Sequence, residues 1–290
     1  MTAEVLQWVV NRLALQRSVA LATVLNTSGS VPGKTGARLA MSSTDHDWVG
    51  TVGGAGLEMK VLQRCEALLN EASTPHAEVH TFGLNKGAKG YEVTPLDSLC
   101  GGRVTLSIEV MMPVPHVLIM GGGHCGEALS RSLDALKWTY DVHDTRPAFA
   151  SEELYPSALQ RSCASVVEFF SGHDATTLGK YSDVLLLGHD WSEDQARLLA
   201  LLGRLPEGAL LNGRDAPRIG VIGSRSKWQA FSSACLAANI GQALIDQVVC
   251  PIGLNIGANS PEEIAVAVTA QIMASDKNID VHQPSWRDSL

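Results

Sequence analysis

The sequence has no apolar run approaching the roughly 20 residues that a membrane-spanning helix needs. Its longest runs, such as VLIM and VLLLG, are far shorter, so no membrane span is expected. A basic leader with a small-residue cleavage site is also missing. The opening MTAEVLQWVV carries an acid at Glu4, which predicts a cytoplasmic protein without a signal peptide. No C-x-x-C pair occurs among the six cysteines at 65, 100, 125, 163, 235 and 250. That argues against a zinc knuckle or a thioredoxin-type site and predicts free, mostly buried thiols. There is no concentrated basic patch either, and the formal net charge is −8. Nucleic acid is therefore not an expected partner, and an anionic ligand would need local donors. No internal repeat or low-complexity tract is found.

Two domains are expected from 290 residues with 45% apolar and 18% charged content, enough for an ordinary core in each half. The alternating prolines of MMPVPH (111–116) favour an extended connector and place a seam there. The reading is an α/β chain: a smaller mixed α/β domain over 1–112, then a Rossmann-like parallel-sheet domain over 113–290. In the first half, Val5, Leu6, Val9, Val10 and Leu13 have helical spacing, and SVALATVLNT reads as a buried strand. In the second half, strands are expected at 116–120, 139–143, 165–170, 183–188, 218–223 and 247–250, with helices between most of them. Ser260, Pro261 and Glu263 have the pattern of a capping box opening a final helix. The tail after Asp276 is polar and expected to be loose.

Gly121, Gly123 and Gly126 in MGGGHCGEAL satisfy G-x-G-x-x-G after a predicted strand and before a predicted helix. Gly121 would permit the turn, Gly123 would let backbone reach a phosphate, and Gly126 would let the helix lie against the strand. The helix start then offers N–H groups to an anion. The same loop can also be a glycine turn with no ligand. Asp144 stands 18 residues beyond Gly126. It would accept ribose hydroxyls or cap the following turn, and Arg146 would favour a 2′-phosphate. Cys125 is either a reactive thiol with a pKa lowered by helix-end amides or a small residue chosen for its size.

Other groups are expected at the same carboxyl edge. His189, Asp190 and Asp194 follow the fourth strand. His189 is a hydrogen-bonding or proton-transfer candidate, with a structural role as the alternative, and the trio lacks the second histidine of a good metal site. Ser224, Arg225 and Lys227 follow a glycine after the fifth strand and would hold an anion or simply face solvent.

These residues resemble the xanthine dehydrogenase accessory proteins of the XdhC/CoxI type. The resemblance rests on TVLNTSGSVPGKTGARLAM, GTVGGAGLE and CGGRVTLSIE, then VLIMGGGHCGEAL, HDTRP, GHDWSED, IGVIGSRSKW and CPIGLNIGANSPEEIAVAVTAQI. It implies a cytoplasmic, homodimeric protein, more a chaperone than an enzyme, that binds molybdenum cofactor. Such a protein protects the cofactor, supports its sulfuration with a cysteine desulfurase, and inserts it into an apo molybdenum hydroxylase such as xanthine dehydrogenase. Several positions depart from the family pattern. Leu99 precedes a single Cys100, Ala55 ends the GTVGG run, and Lys34 and Arg38 follow the first Gly-Ser, which leaves the client hydroxylase open.

A carrier of that kind needs amides and a cation for a phosphate. Gly29–Ser30, Gly53–Gly54 and Cys100–Gly101–Gly102 expose backbone, and Lys34, Arg38 and Arg103 supply charge. Each glycine pair also reads as a plain tight turn, and Glu58 as a helix-start acid. Cys100 is the thiol for contact with molybdenum or sulfur relay, with a buried thiol as its alternative and Cys250 as a weaker candidate. Two other readings remain: an NAD(P)-dependent oxidoreductase with His189 as proton donor, and an assembly factor that binds no cofactor.

Overall fold

The structure, a computed structural model, describes residues 2–43, 47–71, 74–85, 93–96 and 101–282. Cys100 lies outside the described residues. The chain forms two compact units, Met1–Pro113 and Val114–Leu290. Among the described residues no helix is long and apolar enough to cross a membrane.

The N-terminal unit runs α1 (Thr2–Ala14), β1 (Val19–Ser28), β2 (Arg38–Ser42), β3 (Trp48–Gly50), α2 (Ala55–Glu71), β4 (His76–Gly83), β5 (Val93–Pro95) and β6 (Arg103–Met111). Its sheet has the order β3-β2-β1-β6-β4-β5. All pairings are antiparallel except β4 with β5. On β1, Ala20, Ala22 and Val24 join the core beneath α2 with Leu57, Val61 and Cys65. Val19 and Leu21 turn the other way, to Val5 and Val9 of α1. Covered on both faces, β1 reads as a continuous apolar run instead of an alternating one. Leu6 and Val10 of the expected apolar stripe are exposed.

The C-terminal unit runs β7 (His116–Met120), α3 (His124–Ala135), β8 (Thr139–His143), a short 3-10 turn (Pro147–Ala150), β9 (Gln160–Ser162), α4 (Val166–Ser171), α5 (Ala175–Leu178), β10 (Asp183–Leu186), α6 (Trp191–Leu202), β11 (Arg218–Val221), α7 (Arg225–Ala237), α8 (Gln242–Ile245) and α9 (Pro261–Asp276). Five parallel strands lie in the order β11-β10-β7-β8-β9, a doubly wound Rossmann-like sheet. Leu118 and Met120 of β7 enter the core on one face, Val117 and Ile119 the core under α3 and α9 on the other. In such a sheet ligands bind beyond the carboxyl ends, where the strand order reverses, here between β7 and β10.

Two expected strands are corrected. Residues 165–170 are helical, because Ser165 Oγ accepts the Glu168 N–H at 3.2 Å and caps α4. That cap outweighs the strand preference of the Val and Phe residues behind it. The third strand is instead β9, further upstream. Residues 247–250 contribute one parallel bridge, Gly220 to Val249, and no strand. The capping box at Ser260 and Glu263 forms as the sequence indicates. Of the five described cysteines, Cys65 and Cys235 are buried, Cys125 and Cys250 partly so, and Cys163 is exposed.

At the end of β8, His143 is fully buried. Its Nε2 lies 2.9 Å from the Ala164 carbonyl, and Nδ1 has no partner. Burial, followed by the nearby Arg197 charge, pushes its pKa from 6.5 down to about 4. The folded protein therefore keeps His143 neutral where an unfolded chain would take up a proton. Stability contributed by this group is complete above pH 6.5 and falls as pH drops toward 4. Chemical denaturation at pH 7 and pH 5 should show a loss of about 2 kcal/mol from His143. A His143→Phe variant should remove that part of the slope, and an unchanged slope would refute the assignment.

Candidate functional site

Three glycine-bearing loops meet backbone to backbone in the N-terminal unit. A Cβ on Gly33 would lie 2.2 Å from the Val52 carbonyl oxygen, and one on Gly53 would lie 2.4 Å from Gly33 N. Gly102 faces the Ser28 and Ser30 carbonyls at 2.5 and 2.7 Å from its Cβ position. Gly29, at φ +70°, rests on Gly102 Cα, and Gly54 on the Pro32 ring. Gly101 and Ser30 are exposed. Glu58, in the first turn of α2, accepts from the Thr51 hydroxyl and the Gly53 N–H. It therefore braces the turn, as a helix-start acid.

Beside these loops lies a cavity of ≈ 400 Å³, lined by Lys34, Arg38, Thr35, Thr51, Gly33 and Gly53 among others. None of its lining residues is an acid. Lys34 and Arg38 make no ion pair among the described residues. Lys34 and Arg38 beside the Thr35 hydroxyl favour an anion, while the Thr51 hydroxyl and the Gly53 N–H are held by Glu58. The sequence brought forward Lys34, Arg38 and Gly53. It missed Thr35 and Thr51, which carry no signal beyond lying next to glycines. Gly29, Ser30, Gly54, Gly101 and Gly102 belong to the loop framework and not to the cavity wall.

In the C-terminal unit the glycine loop has the expected backbone geometry. Gly121 takes φ +113°, and a Cβ there would sit 2.5 Å from Gly188 N. Gly126 brings α3 onto the Gly121 carbonyl, and nothing lies within 4 Å of a Cβ on Gly123. The loop is nevertheless tied to its own chain. Asp144 is buried, and Oδ2 accepts from Gly122 N at 2.9 Å and Arg146 Nη2 at 2.8 Å. Its Oδ1 accepts from Arg146 N at 3.0 Å and Nε at 2.9 Å. Burial would raise the Asp144 pKa, but these hydrogen bonds outweigh it and lower the value. Arg146 also covers the Phe149 ring at 3.9 Å. Of the two readings of Asp144, this is the one in which the acid caps the following turn.

Cys125 is partly buried, which goes with the reading of a small residue chosen for its size. Burial raises its pKa and the Glu262 carboxylate adds to the rise. His189 is exposed, and Asp190 caps α6 by accepting from Glu193 N at 2.9 Å. Asp194 is wholly buried, bonded to Arg197 Nη1 at 3.1 Å and Lys227 Nζ at 2.8 Å. The trio therefore diverges, and among the described residues no cluster of three or more acids, histidines or cysteines could hold a metal. Ser224 caps α7 by accepting from Lys227 N at 3.3 Å, and Arg225 is exposed. The fully buried Arg197 was not foreseen; its signal was the small Gly188, whose Cβ position lies 2.2 Å from Asp194 Oδ1.

Comparison with known proteins matches residues 117–272 to the XdhC Rossmann domain and residues 13–83 to the XdhC and CoxI family. The uncharacterized protein YqeB of Escherichia coli (strain K12) is 26% identical over 259 residues, covering 89% of this chain and 44% of that protein. A probable xanthine dehydrogenase subunit from Bacillus subtilis (strain 168) is 27% identical over 180 residues, 60% of this chain and 47% of that protein. The chain thus spans about half the length of these relatives. A crystal structure described as a xanthine dehydrogenase from Bacillus halodurans aligns over 100% of this chain and 99% of its own, at 17% identity and TM-score 0.46.

Asp194→Ala would leave the Arg197 and Lys227 charges buried without their shared carboxylate. Loss of one partner from such a cluster costs about 3–5 kcal/mol. Urea unfolding of the variant should show that loss, and a change under about 1 kcal/mol would show the cluster is not a structural tie.

Proposed function

The chain belongs to the XdhC and CoxI family, and on that premise we propose that it is an accessory protein of a molybdenum hydroxylase such as xanthine dehydrogenase. It takes the molybdenum cofactor as cargo, shields it, supports its sulfuration with a cysteine desulfurase as partner, and hands it to the apo-enzyme. The observation that carries this reading is the cavity with Lys34 and Arg38 in its wall and no acid among its lining residues. The cofactor ends in a phosphate, which two cations and the Thr35 hydroxyl suit in charge and in donor type. The glycine framework around the cavity supports the reading too, since any larger residue at Gly33 or Gly53 would strike main chain. Cys100 would sit next to Gly101 in sequence and stays the proposed thiol for molybdenum or sulfur. A homodimer in the cytoplasm is part of the same proposal.

A nicotinamide-dependent oxidoreductase is the second reading, favoured by the open flank of Gly123. For that role Asp144 would have to release Arg146 before a ribose could reach it.

The test is to purify the chain from cells with and without cofactor biosynthesis and to measure released pterin and molybdenum. The wild type should carry both from competent cells only. The double variant Lys34→Ala, Arg38→Ala should carry at least about tenfold less, the effect of losing one or more charge-assisted bonds. Absence of pterin and molybdenum from the wild type, together with saturable NAD binding lost in Asp144→Ala, would replace this reading with the second.

A further inference from the structure

The two threonines in the wall of the anion cavity are not equivalent. Thr35 follows Lys34, and its hydroxyl makes no hydrogen bond among the described residues, so its proton can go to a ligand. The Thr51 hydroxyl instead donates its only proton to Glu58 Oε1. Its oxygen also accepts the Gly53 N–H at 3.1 Å, and that N–H lies 3.4 Å from the same Glu58 oxygen. A hydroxyl has one proton and two lone pairs, and a carboxylate can only accept. The Thr51 proton therefore cannot turn toward the cavity without giving up its bond to Glu58. One lone pair is all that Thr51 has left for a ligand.

That lone pair stands beside a cation. β2 and β3 pair antiparallel with Leu39 opposite Gly50, and the Thr51 N–H donates to the Arg38 carbonyl at 2.8 Å. The same register continued sets Arg38 opposite Thr51 on one face of the sheet, where facing Cβ atoms are about 4.5–5.5 Å apart. An ion held by Arg38 thus meets the Thr51 oxygen with the Glu58 charge behind it. Glu58 is not itself in the cavity wall. It acts on a ligand through Thr51 and is a positioning residue. An oxyanion without a proton would set lone pair against lone pair there and bring its charge toward the carboxylate. An oxyanion that keeps an O–H would donate it to Thr51, whose own bond to a carboxylate makes it a better acceptor.

We propose that the Thr51–Glu58 pair makes this cavity select oxyanions that retain a proton over oxyanions that have none. Hydrogen phosphate and singly ionised phosphate esters are of the first kind, and sulfate is of the second. Lys34, Arg38 and the Thr35 hydroxyl supply an attraction that any such anion shares. Thr51 supplies the choice, by a bond to the right ion and a repulsion against the wrong one. The inference rests on the anion reading of the cavity and adds which anion it takes.

The test is calorimetric titration of the full chain with inorganic phosphate and with sulfate, at neutral pH and constant ionic strength. Phosphate keeps at least one O–H at that pH, and sulfate keeps none. Phosphate should bind saturably and at least about tenfold more tightly than sulfate. In Glu58→Gln the amide can donate to Thr51, which releases the hydroxyl proton to the ligand. That variant should bind sulfate more tightly and bring the two affinities close together. Thr51→Val keeps the side-chain shape and should close the gap from the other side, by weakening phosphate. A Glu58 that only holds the turn would move both ions alike and leave their ratio unchanged. Equal binding of the two ions by the wild type, or a ratio that survives in either folded variant, overturns the proposal and leaves the anion cavity standing. Binding of neither ion removes the anion reading and this proposal with it.

Discussion

Main chain resting directly on main chain is the constraint on which both halves of this protein depend. In the N-terminal unit, Gly33 meets the Val52 carbonyl and Gly53, and the anion cavity forms beside that contact. In the C-terminal unit, Gly121 meets Gly188 where β7 and β10 diverge. Neither approach leaves room for a single methyl group. The loops are therefore held by backbone geometry, and their amides stay where the fold puts them.

Charge separates the two units. At the carboxyl edge of the parallel sheet, positive and negative groups are matched inside the protein: Arg146 with Asp144, and Arg197 and Lys227 with Asp194. Such groups are already satisfied and have little left for a ligand. Around the N-terminal cavity the balance is open, because Lys34 and Arg38 have no carboxylate among the lining residues. A similar abundance of glycine thus accompanies two electrostatic arrangements: three cations paired within the chain in one unit, and two with no carboxylate in the cavity wall in the other.

Much of the architecture was legible in the amino-acid pattern. The apolar run of 116–120, the glycines that follow it and the box at Ser260 are local signals, and local physics decides them. The misread elements have the opposite character. Residues 165–170 have strand-like composition, but one serine hydroxyl starts a helix there. Residues 247–250 reach the sheet through a single bridge, which no periodicity encodes. Site residues were harder still. Asp144 has the right position for a ribose acceptor, and only its surroundings show that Gly122 and Arg146 occupy it. Cys125 sits at a helix start, yet burial and Glu262 decide its acidity.

The segment GHDWSED illustrates how a pattern can mislead. Its histidine and first aspartate invite a catalytic reading, but its glycine is there to admit Asp194 and Arg197 beneath the loop. The residue that looks like a spacer is thus the one that makes room for a buried charge cluster. Exchanging that glycine for any larger residue would therefore be felt first by Asp194 and Arg197 under the loop and not by the exposed histidine beside it.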